Sequence, residues 1–95
     1  MSSNVEFKDF VIGQLVGLDV SCKKMMGEYL LYNKDKLFGG IYDDRLLIKK
    51  TKSNEKFGLK EVVPYKNAKS MYEVDNLDDK EYLMNLITIT CNELK

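Results

Sequence analysis

Residues 23–50, KKMMGEYLLYNKDKLFGGIYDDRLLIKK, constrain the fold more than any other part of this 95-residue chain. Short apolar, aromatic-rich runs alternate there with polar turn signals. Val20–Met26 reads as a strand interrupted by Gly27, Tyr29–Tyr32 as a second, Lys36–Tyr42 as a third and Arg45–Lys49 as a fourth. Asn33-Lys34-Asp35 and Asp43-Asp44 supply the residue types that tolerate tight reversal. Short β-rich runs joined this way are sequential hairpins and predict an antiparallel meander. Gly39-Gly40 inside one run predicts a bulge or a place where a helix packs close to the backbone.

The flanks change period. Ser3-Asn4-Val5-Glu6 has capping-box spacing. Phe7, Phe10, Val11, Gln14, Leu15 and Leu18 then follow helical spacing along one face, with Gly17 as a left-handed stop. Thr51–Leu59 is polar and ends on Gly58, which predicts a short helix. Val62–Tyr65 reads as extended because Pro64 disfavours helix at Val63. Ser70–Val74 is a further strand. Asp78-x-x-Glu81 opens a last helix with Leu83, Leu86, Ile87, Thr90, Cys91 and Leu94 on one face. The expectation is a single α+β domain over residues 1–95: a two-layer sandwich of helix, three or four strands, short helix, one or two strands and helix. Both long helices have one apolar stripe, so they should pack on one face of the antiparallel sheet.

Composition narrows the function classes. There is no histidine, which removes Ser-His-Asp and Cys-His catalysis and the commonest metal ligand. Two distant cysteines, Cys22 and Cys91, form neither a zinc motif nor a disulfide framework. No apolar run reaches the length of a membrane span, and the N-terminus lacks the pattern of a secretory signal, so a cytoplasmic protein is expected. Net charge is zero but uneven: residues 21–72 carry twelve Lys and Arg against six acids, and both ends are acidic. A basic middle suits either a solvated surface or an anionic partner.

Order and motifs together resemble the N-terminal domain of the TfoX/Sxy competence-regulator family, in its short stand-alone form. The resemblance runs through Met25-Met26-Gly27-Glu28-Tyr29-Leu30-Leu31-Tyr32, then Leu37-Phe38-Gly39-Gly40-Ile41-Tyr42-Asp43-Asp44-Arg45-Leu46-Leu47-Ile48-Lys49, then Ser70-Met71-Tyr72-Glu73-Val74. Met26 and Glu28 replace a phenylalanine and a glycine common in the family, and Asp75 stands where a proline often follows. The resemblance implies a regulatory module that is not an enzyme, works in the bacterial cytoplasm and acts through an unidentified protein partner. Full-length regulators of this type add a second domain suited to nucleic acid; the resemblance covers only the first, so nucleic-acid binding is not what it leads one to expect here.

Individual residues yield binding candidates and no catalytic or metal set. Asp43-Asp44 reads as a hairpin tip rather than a cation site, and Gly39-Gly40 lacks the spacing of a phosphate loop. Met25 and Met26 should alternate, one toward the core and one away. Cys22 lies beside two lysines but reads as a small strand residue, and Cys91 as core packing. Lys23, Lys24, Lys49 and Lys50 with Tyr29, Tyr32 and Tyr42 have the ingredients of a stacking platform for single-stranded nucleic acid, the alternative function. The candidate binding set is therefore Lys23, Lys24, Glu28, Tyr29, Tyr32, Lys49 and Lys50, on the sheet face that the helices leave open. No cofactor is called for, and a homodimer that pairs the open faces is a further expectation.

Overall fold

The computed structural model describes residues 4–94. The element order is α1 (Val5–Gln14), β1 (Val20–Met25), β2 (Glu28–Asn33), β3 (Lys36–Tyr42), β4 (Arg45–Ile48), α2 (Lys52–Glu55), β5 (Lys60–Val62), β6 (Met71–Val74) and α3 (Lys80–Glu93). The class is α+β, with one six-stranded sheet in the order β1-β2-β3-β4-β6-β5 and every neighbouring pair antiparallel.

The meander is built by three two-residue reversals, each with both central residues at positive φ. Met26 and Gly27 lie at φ 52 and 85, Lys34 and Asp35 at 50 and 68, Asp43 and Asp44 at 53 and 57. That pattern matches the right-handed twist of the flanking strands, which ordinary turns would splay. Between β2 and β3 the register jumps from Leu31 opposite Gly39 to Tyr32 opposite Leu37. This bulge lets Phe38 reach the core beside Gly39. A Cβ on Gly39 would lie 2.2 Å from the Leu47 carbonyl oxygen, so the glycine is required by close backbone approach.

Residues paired across strands share a face. Tyr29, Ile41, Leu46 and Val74 form one such row, and Leu31, Gly39, Ile48 and Tyr72 form the next. These rows meet Val11 and Leu15 of α1 and Leu83, Leu86, Ile87 and Cys91 of α3 in a single core. The buried stripe of α3 (Leu83, Leu86, Ile87, Thr90 and Cys91) follows the expected spacing.

Three local expectations are corrected. Ser3 lies outside the described residues; Asn4 is the N-cap of α1, and its side chain accepts from the Glu6 N–H. Asp79, not Asp78, caps α3 by accepting from Tyr82 N–H. Gly17 is not left-handed. Helix α1 already ends at Gln14, and Gly17 instead leaves room for Met84, whose sulfur would lie 2.7 Å from an added Cβ.

Helix α2 is short, and side chains hold it in place. Thr51 and Asn54 form a reciprocal capping box. Asn54, fully buried, also donates to the Lys49 carbonyl and to Thr90 Oγ1, both at 2.9 Å. Glu93 of α3 accepts from the Lys52 and Ser53 N–H groups.

Candidate functional site

The pleat sorts the residues singled out from sequence. Lys23 pairs with Leu30 and Gly40 with Leu47; Met25 pairs with Glu28, and Ser21 with Tyr32. This set lies on the sheet face turned away from α1 and α3. Lys23, Glu28 and Tyr32 therefore share one face, and Lys49, which follows the core residue Ile48, continues it.

Tyr29, Lys24 and Lys50 are placed differently. Tyr29 belongs to the core row, is 5% exposed, and lies under the Lys8 ammonium, 5.5 Å from its ring centre. Lys24 is its cross-strand partner and shares its side of the sheet. Lys50 is drawn toward the Tyr72 ring at 6.0 Å and pairs with Glu61 at 3.4 Å. The three-tyrosine platform is thus split: Tyr32 and Tyr42 face outward, and Tyr29 is a core residue. Strand alternation is the physical reason, since neighbouring residues in a strand point to opposite faces.

Neither Met25 nor Met26 reaches the core. Met25 is outward and 49% exposed, and Met26 sits in the turn itself, 95% exposed. Glu28 ties two hairpins together by accepting from the Asp43 N–H at 3.1 Å. Asp44 accepts from the Asn4 N–H at 2.6 Å. The paired aspartates are turn residues, and among the described residues no cluster of three His, Cys, Asp or Glu side chains forms a metal site.

Cysteine placement follows expectation. Cys22 is exposed on β1, and Cys91 is buried. Burial pushes the Cys91 thiol up, while a hydrogen bond from Asn33 and the charge of Lys36 pull it down.

Sequence spacing did not reveal the main concavity on the outward face. After β5 the chain turns at Pro64 and closes a reversal in which Ala68 N–H donates to the Tyr65 carbonyl. Asn67, at φ 71, helps send it back into β6. The Tyr65 ring lies 6.3 Å from that of Tyr42, which itself covers Gly40. Between this connection and the ends of β3 and β4 is a cavity of about 750 Å³, lined by Leu37, Tyr42, Lys49, Lys50, Pro64, Tyr65, Lys69, Ser70 and Met71 among others. Burial first, then Tyr65 and Glu28, push the Tyr42 phenol above its ordinary value. The Pro64–Tyr65 and Lys69–Ser70 dipeptides were visible signals, but their meeting with Lys49 depends on β6 lying beside β4.

No helix among the described residues is long and apolar enough to cross a membrane. No protein-family model matches the chain. It is 29% identical over 98 residues to an uncharacterised 12.7 kDa protein in the trpE 5′ region of Spirochaeta aurantia, an alignment that covers 99% of this chain and 85% of that protein.

Proposed function

We propose that this chain is a non-enzymatic regulatory module of the TfoX N-terminal type, working in the bacterial cytoplasm through contact with another protein. The observation that carries the reading is the outward sheet face. It presents Met25, Leu30, Tyr32 and Tyr42 as a partly exposed apolar and aromatic surface, bordered by Lys23 and Lys49. Aromatic and methionine side chains surrounded by charge are the composition of protein contact surfaces. The motif resemblance through β2, β3 and β6 supports the same class, and the absence of histidine from the sequence limits the catalytic alternatives.

Affinity purification from the native host tests it. The expected result is one specific partner recovered by the wild-type chain and lost with Tyr32→Glu, a half-buried outward position whose change leaves the core intact. Recovery of no specific protein, or equal recovery by Tyr32→Glu, contradicts the reading. Nucleic acid is the second reading, favoured by Lys23 and Lys49 on the same face as Tyr32. It requires single-strand affinity that falls steeply with salt, and an anisotropy titration with no binding at low salt disposes of it.

A further inference from the structure

The cavity between the Val63–Ser70 connection and the ends of β3 and β4 is chemically two-sided. Leu37, Met71 and Pro64 give apolar surface, and Tyr42 and Tyr65 add aromatic surface with hydroxyl groups. Lys49, Lys50 and Lys69 are among its lining residues and no carboxylate is, although the Lys50 ammonium itself is held beside Glu61 and the Tyr72 ring. Strand pairing forces this concentration. Ile48 pairs with Tyr72, so the residues after β4 run beside those before β6; the same register sets Lys49 beside Met71 and Lys50 beside Ser70, with Lys69 the next residue along. Gathering like charges costs free energy unless a counter-charge joins them. Glu61 answers Lys50 from outside the cavity. Lys49 and Lys69 supply most of the remaining positive charge.

Size and chemistry select the occupant. About 750 Å³ lies within the range of organic-ligand pockets, roughly 300–1,000 Å³. A bare inorganic anion would satisfy the lysines and leave the apolar walls wet. A neutral hydrocarbon would fill the walls and leave the ammonium groups without a partner. We propose that this cavity binds a small organic anion with an aromatic or apolar body, its acid group held by Lys49 and Lys69 and its body lying between Tyr42, Tyr65 and Met71. The proposal goes beyond the protein-contact reading: the cavity shares Tyr42 and Lys49 with that face, but binding of a small anion is read without any partner protein.

The probe is 2-naphthylacetate, followed by amide shifts of the 15N-labelled full chain. Saturable shifts are expected at Lys49, Lys50 and residues 65–70, with 2-naphthaleneethanol and acetate each binding at least about tenfold more weakly, a difference of about 1.4 kcal/mol. Lys49→Met with Lys69→Met should weaken naphthylacetate by at least about tenfold. If that double variant loses its folded spectrum, Lys69→Gln at its exposed loop position replaces it, with a smaller loss of the same sign. The proposal is overturned by any of four results: no saturation at millimolar probe, shifts centred elsewhere, equal affinity for the neutral alcohol, or unchanged affinity in the folded lysine variant. Partner recovery in the affinity experiment does not bear on any of these outcomes.

Discussion

Asn54 shows how much one polar side chain can organise when it is fully buried. Its carboxamide accepts from the Thr51 N–H and donates to the Lys49 carbonyl and to Thr90 Oγ1, tying together the end of β4, the start of α2 and the C-terminal part of α3. Asn54→Ala is expected to destabilise the fold by about 2–3 kcal/mol, because it removes one half of the capping box and leaves buried partners unsatisfied. Urea unfolding measures this, and a loss below about 0.5 kcal/mol would contradict it. Met26 is the opposite case. It occupies a left-handed position at φ 52 and is 95% exposed, so its side chain adds little to the fold. Met26→Asn, giving Asn-Gly in the turn, is expected to raise stability by about 0.5–1 kcal/mol, read from the urea midpoint. Neither role was legible in the sequence. Asn54 stood in a polar stretch with nothing to mark its burial, and Met26 looked like a strand residue because it follows one.

At the scale of elements, the sequence carried the hairpins well and the faces less well. Gly27, Asn33-Lys34-Asp35 and Asp43-Asp44 mark reversals whose backbone demands are local, so residue type alone locates them. The Gly39-Gly40 bulge was legible for the same reason. Which tyrosine faces which way depends on where each strand begins, and one position of uncertainty moves a side chain to the other face. Tyr29 and Tyr32, three positions apart in β2, must lie on opposite faces, and the start of the strand decides only which of them is buried. The cavity needed still more, because β6 inserts between β4 and β5, a pairing between residues far apart in sequence. The α2–α3 staple belongs at this scale too. Glu93→Ala removes the acceptor for two N–H groups at the start of α2 and is expected to cost about 0.5–1 kcal/mol. Amide exchange should then quicken in α2 before it quickens in the strands, and uniform acceleration through the whole sheet would contradict a local staple.

For the whole molecule, Cys91 and Tyr42 lead the response of stability to alkaline pH, and Tyr82, raised by burial and then by Asp75, acts in the same direction. Cys91 is raised above its ordinary 9.0 mainly by burial, and Tyr42 above its ordinary 10.0 by burial, Tyr65 and Glu28. In both, the unfolded chain ionises first, so their contribution is fully present below the unfolded values and is lost as pH rises through the folded ones. The urea midpoint is expected to hold steady from about pH 7 to the high 8s and to fall above 9. Cys91→Val should remove the first part of that fall, and an unchanged slope in this variant would exclude Cys91 as its source. The central claim is that the sheet face turned away from α1 and α3 meets a partner protein. A photo-crosslinking residue placed in turn at Met25, Tyr32 and Phe10, in the native host, tests it most directly. Met25 and Tyr32 lie on that face, and Phe10 is an exposed residue of α1. The account predicts one adduct of the same mass from Met25 and Tyr32 and none from Phe10. An adduct from Phe10 alone, or from none of the three, would contradict it.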